Sequence, residues 1–226
     1  MIHSGSRNLG KQVADHYNKI AKAKNELWFS EVPKSWDLSF LPISDVDGIS
    51  YYKEMTYCVE FALANRTLMM SRVLEAIQEV MGTSMTVNAD KTINMAHNYA
   101  AWENHFGANV LVHRKGATRA YVGELGIIPG SMGTSSYIVE GLGNRESFQS
   151  CSHGAGRKMG RRVANDTLDL IKEQKILNDQ GILHEMDATR LDEAPSAYKD
   201  IDEVMELQKD LVKIKIKLRP LAVIKG

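Results

Sequence analysis

The sequence predicts an α+β fold, a mixed sheet with flanking helices, organised as one region over residues 1–226. Three observations predict it. Apolar residues recur at helical spacing through the first third. Short β-branched and aromatic runs separated by glycines fill the middle. The last third returns to helical, acidic patterning. The order helices, strands, helices does not alternate as a βαβ series would.

Taken in chain order, Ser4-Gly5-Ser6 reads as a tight turn, and a helix follows over 9–27 with Leu9, Val13, Tyr17 and Ile20 on one face. Pro33 and Pro42 mark residues 30–44 as a loop. A second helix runs over 49–81, through Tyr52, Met55, Val59, Leu63, Met69, Val73, Ile77 and Val80, with Gly82 as its C-terminal cap. Met85-Thr86-Val87, Asn109-Val110-Leu111-Val112, Ala120-Tyr121-Val122 and Tyr137-Ile138-Val139 read as strands. Helix resumes up to about 217, and the apolar run over 218–224 reads as a strand. No repeat, low-complexity tract or Gly/Ser linker divides the chain.

With 43% hydrophobic and 25% charged residues, the composition is that of a folded globular protein. No run approaches the roughly 18–20 apolar residues of a membrane helix, and the first residues lack the apolar core of a secretion signal. Cys58 and Cys151 alone make no disulfide framework, so a reducing cytoplasm is expected. The 28 basic and 28 acidic residues balance, which excludes nucleic-acid binding driven by bulk charge. Local basic patches remain. Residues 151–163 hold Arg157, Lys158, Arg161 and Arg162 without an acid, and 113–119 hold His113, Arg114, Lys115 and Arg119 without one. Each patch reads equally as a phosphate contact or a solvated basic face.

Four constellations can carry chemistry. His3-Ser4-Gly5-Ser6-Arg7 joins an imidazole to a turn able to approach a phosphate, although a lone terminal histidine also fits a solvated side chain. Ala96-His97-Asn98-Tyr99-Ala100, at the end of an expected strand, offers a metal-ligating imidazole beside an amide; a histidine bonded in a turn is the plainer alternative. Pro129-Gly130-Ser131-Met132-Gly133-Thr134-Ser135-Ser136 is rich in N–H and O–H donors suited to phosphate, or is an ordinary strand connection. Lacking a following Gly-Lys-Ser/Thr, it is not a Walker loop. In Ser150-Cys151-Ser152-His153-Gly154-Ala155-Gly156-Arg157, small residues let a bulky phosphate near the backbone. Arg157 and Arg161, four apart, would share a helix face and supply bidentate donors. A neutral imidazole such as that of His153 can attack phosphorus. His16, His105, His113 and His184 read as surface or packing residues, and Cys58 as core.

In this order the motifs resemble the RtcB family of RNA-splicing ligases. The matching stretches are HSGSRNLG at 3–10, ANR at 64–66, HNYA at 97–100, HRKGATRA at 113–120, PGSMGTSSY at 129–137, HGAGRKMGR at 153–161, EAPSAYKDI at 193–201 and IKG at 224–226. The resemblance implies a GTP- and Mn²⁺-dependent ligase that joins RNA 3′-phosphate or 2′,3′-cyclic phosphate ends to 5′-hydroxyl ends. It implies that His153 accepts GMP, and that His3 and His97 ligate metal. The guanylate pocket it implies comprises His97, Asn98, Pro129, Gly130, Ser131, Met132, Ser136, His153, Gly154, Ala155 and Gly156, with Lys225 on guanine and Tyr198 stacked near it. Arg7, Arg157 and Arg161 become contacts to RNA phosphates. The family's N-terminal half, with its Asp-x-x-Cys and Gly-rich Asn-His motifs, has no counterpart here. The chain is therefore expected to be a fragment of a longer product, ahead of half of a split enzyme or a degenerate paralogue. The missing half or an activating protein are expected partners besides RNA. The competing expectations are a metal-dependent phosphoesterase built on the same histidines and a non-catalytic nucleotide- or RNA-binding remnant.

Overall fold

The computed structural model describes residues 1–84 and 92–225. The run Met85-Thr86-Val87, read as a strand, lies outside the described residues. The chain divides into two compact units, Met1–Ala101 and Trp102–Gly226.

The first unit is built on two helices. Helix α1 spans Leu9–Leu27, with the boundaries its apolar spacing predicts. The turn before it lies at Arg7 and Asn8, both left-handed (φ 49° and 73°), rather than at Ser4-Gly5-Ser6. Ser6 Oγ accepts the Gly10 amide at 2.9 Å and satisfies one of the orphan donors of the first turn. Tyr17, Ala21 and Asn25, four apart, form the buried face. That face packs on helix α2, Val46–Met81, which buries Gly48, Cys58 and Ala62. The Asn25 amide donates to the Phe40 carbonyl at 2.6 Å and accepts the Phe40 N–H at 3.2 Å, which pins the loop expected over 30–44. α2 starts earlier than its spacing predicts, and in its first turn the Pro42 carbonyl lies against Gly48, where a Cβ would come within 2.0 Å of it. It ends on left-handed Gly82 (φ 64°), as expected. At about 1.5 Å per residue, α2 is roughly twice as long as α1, and Leu68, Val73, Ile77 and Val80 of its distal half stay exposed.

The second unit is a set of small sheets rather than the one mixed sheet expected. Strand β1, Asn98–His105, carries the boundary between the units and pairs with β2, Ala108–Lys115, across the left-handed pair Phe106-Gly107. Strand β3, Ala117–Arg119, pairs antiparallel with β6, Ser150–Ser152. Strands β4 (Leu125–Ile128), β5 (Ser136–Gly141) and β8 (Val212–Leu218) make an antiparallel sheet in that order. Between them come α3 (Arg161–Thr167), α4 (Leu170–Asp179), β7 (Leu183–His184) and α5 (Ile201–Glu206). β7 pairs in parallel with the terminal β9, Ala222–Val223.

Ala120-Tyr121-Val122, expected as a strand, is a turn closed by Gly123 (φ 76°), and β3 ends just before it. Of the strand expected over 218–224, only the two residues of β9 form one, and the longer strand near the C-terminus, β8, lies before it. Val-Lys-Ile-Lys-Ile-Lys-Leu alternates with period two, and Lys217 lies inside it instead of ending a helix.

One core joins Ile128, Tyr137, Val139, Cys151, Ala155, Ile201, Met205 and Val212; a second joins Met132, Leu177, Ile182, Met186, Leu191 and Ala194. Gly141 sits where β5 crosses the 120–121 turn, and a Cβ there would come within 2.3 Å of the Tyr121 carbonyl oxygen and 2.4 Å of the Ala120 carbonyl carbon. Both obstacles are backbone. Gly141→Ala is expected to cost about 1–3 kcal/mol by overpacking, read as a lower urea midpoint at unchanged slope.

Candidate active site

β6 delivers the chain to His153. Its register sets Ala117 against Ser152, so His153 emerges beside Gly116. The His153 amide donates to the Gly116 carbonyl at 3.5 Å. The imidazole lies over Gly116, where a Cβ would stand 3.8 Å from ring atoms Cε1 and Nδ1. The residue is half-buried, with Nδ1 shielded from solvent. Cys151, directly before this turn, is core. Burial pushes its thiol up to about 11, which leaves it a poor nucleophile.

The next residues seat on Pro129. Ala155 N–H donates to the Pro129 carbonyl at 3.0 Å, and a Cβ at Gly154 would lie 3.1 Å from the same oxygen. The small residues after His153 thus bring the 129–136 loop to it. That loop is internally bonded. Gly130 N–H reaches Ser136 Oγ at 3.3 Å, Ser131 N–H reaches Thr134 Oγ1 at 2.7 Å, and Gly133 N–H reaches Ser131 Oγ at 3.4 Å. The hydroxyls expected to face a phosphate therefore hold the loop's own amides. Met132 and Ala155 place their side chains in the two cores, leaving their backbones to border the site.

Arg157, Tyr198, Arg161 and Lys225 converge on Glu193, which sequence reasoning did not single out. Tyr198 OH donates to Glu193 at 2.8 Å, Lys225 Nζ at 3.2 Å, and Arg157 and Arg161 stand at 3.8 and 3.6 Å. Arg157 forms a bridge with Tyr198 along the backbone and holds its guanidinium 5.0 Å over the Tyr198 ring. Burial opposes ionisation of Glu193, but Tyr198 and Lys225 outweigh it and hold the carboxyl below its usual range. Burial, then Glu193, pushes the Tyr198 phenol up to about 12. Arg157 Nη2 is buried and has no hydrogen-bond partner among the described residues. A buried guanidinium nitrogen without an acceptor leaves a place for an anion's oxygen. The two arginines do not share a helix face as expected. α3 begins at Arg161, and Arg157 lies before it in the bridge to Tyr198.

In the first unit, His3 Nε2 and His97 Nε2 face each other at 3.0 Å, with their rings edge to face. Adjacent ligand positions of a tetrahedral metal with bonds of about 2.0–2.1 Å are about 3.4 Å apart, so a small opening of this pair admits a cation between two imidazole nitrogens. The donor chemistry fits a divalent transition metal. Among the described residues, no third His, Cys, Asp or Glu joins them. His97 precedes β1 rather than ending a strand, and Asn98 opens β1 exposed. Arg7 is exposed in the left-handed turn before α1.

In the 113–119 patch His113 and Lys115 are exposed, and both arginines are paired. Arg114 is buried against Glu103, and Arg119 pairs with Glu124 and stacks at 4.7 Å on Tyr121. His105 is buried on Glu103 at 2.8 Å. The sequence carried only one signal for this cluster, the alternation of Glu103 and His105 along one strand face.

The family model described as tRNA-splicing ligase RtcB matches residues 1–226. The chain is 41% identical over 231 residues to the RNA-splicing ligase RtcB of Escherichia coli (strain K12), covering 100% of this chain and 55% of that protein. It is 36% identical over 251 residues to the tRNA-splicing ligase RtcB of Pyrobaculum aerophilum, again over 100% of this chain and 52% of that protein. The tRNA-splicing ligase RtcB of Methanococcus maripaludis is 34% identical, with the same 100% and 52% coverage. The chain thus spans about half the length of these curated relatives. No helix among the described residues is long and apolar enough to cross a membrane.

Proposed function

The chain belongs to the RtcB family, and from that premise we propose that it carries the nucleotide-transfer half of a GTP-dependent RNA ligase, with His153 as the nucleophile. The observation that carries this reading is the seating of His153. It is half-buried over Gly116, joined through Gly154 and Ala155 to Pro129, and followed four residues later by Arg157 with its buried, unpartnered Nη2.

A ring nitrogen of neutral His153 attacks the α-phosphorus of GTP. An N–P bond forms, the bond to the bridging oxygen breaks, and pyrophosphate leaves. The GMP then passes to the RNA 3′-phosphate, and the 5′-hydroxyl of the second RNA end displaces it. Pro129, Gly130, Ser131, Met132, Ser136, Gly154, Ala155 and Gly156 of the second unit are read as guanylate contacts, and so are His97 and Asn98 of the first. Lys225 donates to the base, Tyr198 lies beside it, and Arg7, Arg157 and Arg161 take RNA phosphates. Glu193 holds the side chains of Tyr198 and Lys225 in place. His3 and His97 would hold Mn²⁺, which when bound supplies Lewis-acid neutralisation of phosphate charge. The rest of the work is positioning and electrostatics. The natural partner is RNA in the cytoplasm, together with a polypeptide supplying the remaining length of the relatives or an activating protein.

An end-joining assay tests this. RNA bearing a 3′-phosphate is incubated with 5′-hydroxyl RNA, GTP and Mn²⁺, with and without a polypeptide covering the rest of the relatives' length. Joined product that needs GTP, and that ATP does not support, is expected. Phosphate release without joining points to a phosphoesterase, and nucleotide binding with neither reaction points to a non-catalytic remnant.

A further inference from the structure

We propose that Asn65 and Arg66 of α2 are positioning residues that set the His3–His97 pair, by clamping the two irregular segments that carry those histidines. The residues around His3 and those over 92–96 adopt no regular structure, so no helix or ladder holds the two imidazoles together. Side chains of α2 reach both segments. Asn65 Nδ2 donates to Ser4 Oγ and to the Gly5 carbonyl, each at 3.1 Å. Arg66 Nη1 donates to the Ser4 carbonyl at 2.9 Å, one residue from His3. Its Nε donates to Asn94 Oδ1 at 2.8 Å, three residues before His97. Asn94 is returned to the same helix through its amide, at 3.2 Å to both the Leu63 carbonyl and Thr67 Oγ1.

One planar guanidinium therefore touches both segments, and its donors point in fixed directions. Lysine keeps the charge but is a single point donor, so it cannot span Ser4 and Asn94 in this way. The clamp sits on a helix of 36 residues, a rigid support that reaches both segments. The inference rests on reading the histidine pair as a metal site only for its purpose; the clamp itself is geometry. Partners that orient metal ligands typically carry about 10–100-fold in metal affinity.

The test is NMR on the full chain with ring-labelled histidine. Wild type is expected to show a through-space cross-peak between the His3 and His97 rings. Asn65→Ala and Arg66→Lys are expected to lose it while the His105 and His184 signals stay unchanged. Arg72→Lys, which alters only the exposed pair with Glu75, should keep it. Mn²⁺ titration then reads the purpose. The Mn²⁺ concentration that half-broadens both rings should rise about tenfold or more in Arg66→Lys. A cross-peak that persists in both clamp variants overturns the proposal. So does its absence from wild type, or its loss only together with the His105 and His184 signals. If Mn²⁺ broadens neither ring but the cross-peak still depends on Arg66, the metal reading fails and the clamp stands.

Discussion

Arg114→Ala is expected to destabilise the second unit by about 3–5 kcal/mol, the cost of leaving a buried carboxylate without its partner. Arg114 and Glu103 expose 1% and 3% of their side chains. Their contact is a two-pronged fork, Nη1 to Oε1 at 2.6 Å and Nη2 to Oε2 at 2.9 Å. His105 adds a third bond to the carboxylate at 2.8 Å. Burial alone would raise the Glu103 carboxyl, but Arg114 and His105 overcome it and hold it at about 2. A depressed folded value stabilises the fold above the unfolded pKa of about 4.3, and that stability is lost as pH falls toward 2. Urea midpoints of wild type should therefore drop between about pH 4.5 and 2, and Glu103→Gln should flatten that drop while lowering the midpoint at neutral pH. The same guanidinium holds the segment that leads to His153, through Ser150 Oγ at 2.9 Å and the Phe148 carbonyl at 3.0 Å. A pH profile that Glu103→Gln leaves unaltered would contradict this account of the cluster.

The long helices were legible because their signal is local. α1 needs only its apolar spacing and a turn before it. The start of α2 lies earlier than its spacing predicts, in a turn where Gly48 meets Pro42 through a contact that spacing does not encode. β8 reads as helix only when the acidic helical patterning before it is carried on to Lys217; its own lysine–isoleucine alternation is a period-two signal. Arg114 reads equally as a phosphate contact or a solvated charge because its partner, Glu103, comes from the neighbouring strand of a hairpin. Within the candidate site, the residues around His153 were legible as a motif. Glu193 was legible only as the first residue of a matching stretch, because its role depends on Lys225, 32 residues further on, returning to it. Asn65 and Arg66 were visible only as part of a matching stretch, since their targets lie about 60 residues earlier in the chain.

The second large effect is chemical. His153→Ala is expected to abolish covalent attachment of GMP rather than weaken it, because neither the thiol nor the hydroxyl just before it in the chain can replace the imidazole. Cys151 is buried as a high-pKa thiol, and Ser152 donates its hydroxyl to the Gly154 carbonyl at 2.6 Å. The fold should survive the change, since His153 is half-buried and lies outside both cores. Urea unfolding of the variant near the wild-type midpoint checks that.

The most direct measurement is covalent labelling. The full chain is incubated with GTP labelled at the α-phosphate and Mn²⁺, together with the polypeptide covering the rest of the relatives' length, then denatured and resolved. Label that travels with this chain, is released by acid as a nitrogen–phosphorus bond should be, persists in His184→Ala and vanishes in His153→Ala is the predicted result. Label that survives His153→Ala, or its complete absence from the wild-type chain, would contradict the assignment.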